Sequence, residues 1–353
     1  MSISELNTKY ADRGLSGLRN LGNTCFLNSA IQCLSNTLTL SDYLIENELP
    51  NDRQESNLIS EFKDVVDKLM NHNGVVIVPK GLYVALIRLS ILKDCPIAFN
   101  GSQQDSLEFL VFFIDALHNS LSREVKITIK GDIKNEMDKK AHQAMKRWKD
   151  YFKDNYSEII KIFYGQLSSD LICPNCENIN TNYDPVCYFN LAIPNENKNH
   201  YTLEECFELY TSNETLDNDN QWRCDNCHTL GNAIKKNNIW KTPKIMIISL
   251  KRFQRNPVNR EILEKNSVLI EFPIEELDLQ NYCIGYDKYK SKYNLIAICN
   301  HSGSLGGGHY YAYCRNGSGK WYNFNDARVN EIDISDIITP NAYCLFYQKI
   351  DTE

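Results

Sequence analysis

Two short cysteine pairs constrain this chain more than any other feature. Cys173-Pro-Asn-Cys176 and Cys224-Asp-Asn-Cys227 share the C-x-x-C form, each flanked by turn formers and strand-like runs. Four thiolates from two tight turns make a tetrahedral set suited to structural zinc, and a site with four protein ligands leaves no position open for catalysis. The 47 residues between the pairs, 177–223, exceed the spacing of a compact zinc ribbon. A sheet rather than one hairpin must therefore bring the two turns together. A redox dithiol is the rival reading, and loops without a following helix argue against it. The cysteine total of 13 in 353 residues is odd, and MSISELNTKYADRG lacks the basic and apolar runs of a secretory signal. Reduced thiols or metal ligands, in a cytoplasmic or nuclear protein, are expected.

The rest of the chain divides in two. Up to about residue 163 the apolar spacing is helical: Glu61–Met70, Gln103–Leu121 and 135–163 each carry one apolar face. From Gly165 onward come short runs rich in Ile, Val, Tyr and Phe, broken by Asn, Pro and Gly, among them Val186–Ile193, Ile245–Phe253, Tyr293–Asn300, His309–Cys314, Trp321–Phe324 and Ala342–Tyr347. These predict a mostly antiparallel sheet, interrupted by one helix at Leu203–Tyr210. Helices first and strands later mean an α+β fold with segregated layers. The longest apolar runs are too short to span a bilayer, so no membrane insertion is expected. A net charge of −7 disfavours nucleic acid as a partner.

Cys25 stands where a loop, Asn20-Leu-Gly-Asn-Thr24, meets a helical pattern of Leu27, Ala30, Ile31 and Leu34. Asn23 or Thr24 can cap this partly buried helix. A thiol at the first turn lies near unpaired N–H groups and the positive end of the helix dipole, which favour the thiolate. A buried core cysteine is the competing reading. Far downstream, His309 follows three glycines and opens an aromatic strand, while His301 lies in the preceding loop. Alternation along Trp321–Asn325 puts Asn325 on one face with Asn323 and Trp321. Two strands joined by Asn316-Gly-Ser-Gly319 would place Asn325 beside His309, where its side-chain oxygen can accept an imidazole N–H; Asp326 could serve instead. Cysteine, histidine and amide together follow the nucleophile, base and orienter logic of papain-like cysteine proteases, with Asn20 and the Cys25 N–H as oxyanion donors.

These stretches resemble the ubiquitin-specific proteases. GLRNLGNTCFLNSAIQCL at 17–34 is similar to the family's cysteine box, GSQQDSLEFL at 101–110 to its Gln-Gln-Asp box, SLKRF at 249–253 to a palm strand, and GGGHYYAYCRNGSGKWYNFNDARV to its histidine box. The paired cysteines resemble its zinc-bearing fingers. The resemblance implies a right-hand architecture on a papain-like core: a helical thumb over roughly 14–163, fingers over 164–240, a palm over 241–350, and a short extension, 1–13. It implies that Asn20 lines the oxyanion hole, His309 is the base, Asn325 the third member and Asp326 an auxiliary polar residue. Asp105 would meet the arginines of the ubiquitin tail, or act as a first-turn helix charge. Gly306, Gly307, Gly308 and Tyr310 would form a channel admitting a tail that ends in two glycines. The implied activity is thiol-dependent cleavage after the C-terminal glycine of ubiquitin, with ubiquitin and ubiquitinated proteins as partners of a monomer. A ubiquitin-binding pseudoenzyme, the same chemistry on a sister modifier, and a papain-like peptidase acting on unrelated peptides are the alternatives.

Overall fold

The computed structural model describes residues 1–351 except 96, 98, 100, 197, 256–262, 305 and 306. The helical part comprises α1 (Ile3–Lys9), α2 (Cys25–Ser35), α3 (Leu38–Glu46), α4 (Ser56–Asn71), α5 (Lys80–Leu92), α6 (Ser106–Leu121), α7 (Glu136–Phe152) and α8 (Glu158–Phe163). The single helix expected over 135–163 is thus two. At the break, Arg123 and Tyr156 exchange two backbone hydrogen bonds of 2.8 Å, so the 153–157 backbone turns outward to a neighbouring segment.

The strands that frame the site are β1 (Gly165–Ile172), β2 (Ile179–Val186), β3 (Phe189–Leu191), β4 (Asn213–Thr215), β5 (Ile234–Lys241), β6 (Ile245–Leu250), β7 (Lys292–Ser304), β8 (Gly307–Arg315), β9 (Trp321–Asn325), β10 (Arg328–Ile332) and β11 (Ala342–Lys349). They form a four-stranded sheet, β2-β1-β5-β4, and a larger sheet, β10-β9-β8-β7-β11-β6-β3. All these pairings are antiparallel except β3 with β6. The run Val186–Ile193, read as one strand, is divided between the two sheets.

Period-2 alternation assigns each face of the large sheet. Ala297 and Cys299 of β7, Cys344 and Phe346 of β11, and Ile245 and Ile247 of β6 point toward the helices. Ile298, Leu345, Met246 and Ile248 point into a second core on the far side. Helix α2 lies against the first face. All of its eleven residues are buried, more than the expected partial burial. Each large apolar side chain so enclosed, such as Leu27, Ile31 or Leu34, contributes about 1.5–3 kcal/mol, so the helix carrying Cys25 is among the most firmly anchored elements. No helix among the described residues is long and apolar enough to cross a membrane.

Candidate active site and metal centre

The loop before α2 is tied to itself. Asn20 Oδ1 accepts from the Gly22 and Thr24 N–H groups (2.9 and 3.2 Å) and from the Thr24 hydroxyl (3.3 Å). The Leu21 N–H donates to Thr24 Oγ1 at 2.8 Å, and Asn23 adopts a left-handed conformation with φ 52°. Thr24 is the N-cap by position, but its hydroxyl serves this loop and makes no cap bond to the helix. Cys25 follows as the first helical residue, 5% exposed.

That burial reverses an expectation. It pushes the Cys25 thiol above its ordinary range, the Asp326 carboxylate adds to the effect, and N–H donation from Tyr310 only partly opposes it. The helix terminus alone does not make a thiolate, because desolvation of the sulfur outweighs it.

Asn325 Oδ1 meets His309 Nε2 at 2.7 Å. Since the amide oxygen can only accept, Nε2 carries the proton and Nδ1 is the basic nitrogen. Among the hydrogen bonds of the described residues, none joins Cys25 Sγ to His309. Asp326 sits in the β9–β10 turn with φ 51° and accepts from two amides at once: Asn20 Nδ2 at 3.0 Å and Asn28 Nδ2 at 2.7 Å. Its own carbonyl accepts the Leu18 N–H at 2.9 Å. With Asn20 Oδ1 committed to the loop and Nδ2 to Asp326, one Asn20 N–H remains to donate. The same crossing requires glycine at 17, where a Cβ would lie 2.5 Å from the Ala327 carbonyl oxygen.

Asp105 is the N-cap of α6. Its Oδ1 accepts the Leu107 and Glu108 N–H groups (2.7 and 3.0 Å), while its Oδ2 accepts the hydroxyls of Tyr343 (2.6 Å) and Tyr310 (3.4 Å). Both of the readings given for Asp105 therefore concern a carboxylate already held by four donors. Tyr310 is buried. Gly307 faces open space, whereas a Cβ at Gly308 would collide with the His301 ring; Gly306 lies outside the described residues. His301 is not in a loop: it belongs to β7, is buried, and stacks obliquely on Tyr310 at 4.6 Å. Burial pushes its imidazole down to about 4, so it stays neutral.

Three residues of this arrangement escaped sequence reasoning. Asn28 lies one turn after Cys25 on the side of α2 that carries Gln32 and Ser35, away from Leu27, Ala30, Ile31 and Leu34, and a polar residue one turn beyond the thiol was its available signal. Tyr343 gave none. Gln103 pairs with both backbone groups of Gly308: Nε2 donates to its carbonyl and Oε1 accepts its N–H, each at 3.2 Å. The glutamine amide thereby imitates one rung of a β-ladder.

The four knuckle cysteines converge as expected. Their sulfur atoms lie within 4.8 Å of one another, with Cys173–Cys227 and Cys176–Cys224 each at 3.7 Å. The two turns are near copies. Glu177 N–H bonds Cys173 O (3.0 Å) and His228 N–H bonds Cys224 O (2.9 Å), while the cysteine N–H groups bond Asn178 O and Thr229 O, both at 3.0 Å. Glu177 and His228 each take φ 58°. The Asn226 N–H donates to Cys224 Sγ at 3.4 Å, and the Thr229 hydroxyl and N–H draw the Cys227 thiol down to about 6. Converging sulfurs met by N–H donors form a set able to hold a metal ion.

The profile of the ubiquitin carboxyl-terminal hydrolase family matches residues 16–347. Human ubiquitin carboxyl-terminal hydrolase 2 is 35% identical over 353 aligned residues, covering 97% of this chain and 56% of its own length. Rat ubiquitin carboxyl-terminal hydrolase 21 is 33% identical over 365, covering 97% and 63%. The chain thus spans little more than half the length of these relatives. Among solved structures, the Ubp8 module of SAGA with Sgf11, Sus1 and Sgf73 bound to monoubiquitin is similar with TM-score 0.72 at 26% identity, over 98% of this chain and 71% of that one. The same module bound to ubiquitin aldehyde gives 0.71 at 27%, with the same coverage.

Proposed function

The chain belongs to the ubiquitin carboxyl-terminal hydrolase family, and from that premise we propose that it hydrolyses the isopeptide or peptide bond after the C-terminal glycine of ubiquitin. The observation that carries the reading is the His309–Asn325 pair at 2.7 Å, on strands packed against the helix that begins with Cys25. In this mechanism His309 Nδ1 takes the Sγ proton as sulfur attacks the glycine carbonyl. The oxyanion is met by the remaining Asn20 N–H and the Cys25 backbone N–H. The C–N bond breaks as the imidazolium returns its proton to the departing amine, leaving a thioester on Cys25. Water, deprotonated by His309, then cleaves the thioester, releasing the ubiquitin carboxylate and the thiol.

The raised Cys25 thiol and the absence of a bond to His309 fit a free enzyme whose nucleophile is armed only when substrate aligns the pair. Asp105, Gly307, Gly308 and Tyr310 border the path assigned to the ubiquitin tail, with Asp326 holding Asn20. The division into thumb (14–163), fingers (164–240) and palm (241–350) accompanies this reading. So does zinc at the four cysteines: bonds of about 2.3 Å in a tetrahedron give sulfur–sulfur edges of about 3.8 Å, against 3.7 Å observed for two pairs. Bound there, zinc would tie the two knuckles together and take no part in the reaction.

The test is labelling by ubiquitin carrying a C-terminal electrophile, alongside the same warhead on sister modifiers. An adduct with ubiquitin, absent in Cys25→Ala, is expected. A folded, metal-loaded protein that forms none would instead be a ubiquitin-binding pseudoenzyme, and an adduct only with a sister modifier would reassign the substrate.

A further inference from the structure

A cleft of about 500 Å³ lies where α7, α8, the end of β5 and the end of β11 meet. It shares no residue with the catalytic site. Five lysines line it, Lys161, Lys241, Lys244, Lys290 and Lys349, against two carboxylates, Asp287 and Asp351. Lys161 is committed to Glu158 at 2.6 Å. Among the described residues the other four make no ion pair, in a chain whose net charge is −7.

Two of these ammonium groups are held in place by the cleft. Lys349 is held below the ordinary lysine range by burial; Asp287 and Cys283 oppose this, and Lys241 and Lys290 add smaller pushes in the same direction as burial. The surrounding cleft walls desolvate and lower Lys241 as well, although its side chain is partly open to solvent, again with Asp287 opposing. Lys241 Nζ stands 4.5 Å from the centre of the Trp148 ring, and Lys349 Nζ donates to Thr242 Oγ1 at 2.8 Å. Both side chains are therefore already placed, and among the described residues neither is held in an ion pair that an entering anion would have to break.

We propose that this cleft binds a small soluble molecule carrying clustered phosphate groups. The volume lies within the range of small-molecule sites. Lysine ammonium groups bind phosphate as point charges, with the Thr242 hydroxyl as a neutral partner. Concavity favours a compact polyanion over a lipid surface, which calls for a flat or convex basic face. The inference stands independently of the hydrolase reading.

The probe is inorganic triphosphate, titrated calorimetrically and by thermal unfolding into the intact chain, in wild type, Lys241→Gln/Lys349→Gln, and Lys244→Gln/Lys290→Gln. Saturable binding to wild type is expected, weakened at least about tenfold in either double variant, since loss of one charge-assisted contact of about 1.4 kcal/mol corresponds to tenfold. Lys140→Gln, outside the cleft, should bind as wild type. Unchanged affinity in both double variants would overturn the proposal. An equal thermal shift from sulfate at matched ionic strength would also overturn it, as would binding of an Asp/Glu-rich peptide but not of triphosphate, which would indicate a protein partner.

Discussion

Cys25 is a single sulfur, 5% exposed, at the head of a helix buried on every side, and its partners arrive from about 300 residues away. The knuckle cysteines sit on two tight turns, with Cys173 and Cys224 buried and Cys176 and Cys227 half-buried, and most of what positions each sulfur lies within five residues of it. Burial pushes the Cys25 thiol up, whereas local donors draw Cys227 down. Within the knuckles themselves the shifts run both ways, with Cys173 raised to about 11 and Cys227 lowered to about 6. A metal centre can be specified by a repeated local motif, while a nucleophile must wait for its base to be brought into line.

Several experiments can break or sharpen that contrast. Cys25→Ala should lower kcat roughly 10⁶-fold, the scale seen when a triad nucleophile is removed, with an unchanged melting temperature. An unfolded variant would mean that Cys25 is structural. Conversely, Cys173→Ser or metal chelation should cost several kcal/mol of stability, released first in the four-stranded sheet. Metal analysis should give one zinc per chain in wild type and less in the variant. If iodoacetamide labelling of Cys25 changed as much as stability did, the two regions would not be separable.

Asn20→Ala should reduce kcat by about 10²–10³, the usual consequence of losing one oxyanion donor, with KM within about twofold. A fall in affinity alone would make Asn20 a binding residue.

Stability should also follow pH through His301. Its folded imidazole lies near 4, below the unfolded value of about 6.5. The contribution is therefore complete above about pH 6.5 and is lost progressively as pH falls toward 4, by roughly 3 kcal/mol in all. Denaturant titrations between pH 7 and 4.5 should show this slope, and His301→Asn should flatten it.

The smallest effect is the most diagnostic. Asp326→Asn removes a carboxylate that raises the Cys25 thiol, so iodoacetamide should label the free enzyme a few-fold faster at pH 8 even as turnover falls. In wild type the labelling rate should keep rising with pH beyond the ordinary cysteine range. Slower labelling in Asp326→Asn would show that the carboxylate supports the thiolate after all.

How much of this could be read in advance followed the same divide. The knuckles were legible because C-x-x-C with turn formers is local chemistry. Cys25, His309 and Asn325 could be named from a loop-to-helix junction, a glycine-flanked strand and a hairpin. Helix α7 was overextended because the exchange between Arg123 and Tyr156 is a long-range bond with no local signature. His301 was misplaced for a similar reason: its strand is defined by β8 and β11 on either side. The direction of the Cys25 shift was missed because a helix terminus can be read from sequence and desolvation by a distant sheet cannot.

The bond from Asn28 to Asp326 spans 298 positions, and this sets an order of events during synthesis. At about 5–20 residues per second, roughly 15–60 s separate the two ends of that bond on the ribosome. Throughout that interval α2 has been made, but neither Asn325 nor the turn that holds Asn20 exists. Under the proposed hydrolase reading, a nascent chain released early should therefore carry Cys25 without hydrolytic power, so premature termination would yield an inert product rather than an uncontrolled one.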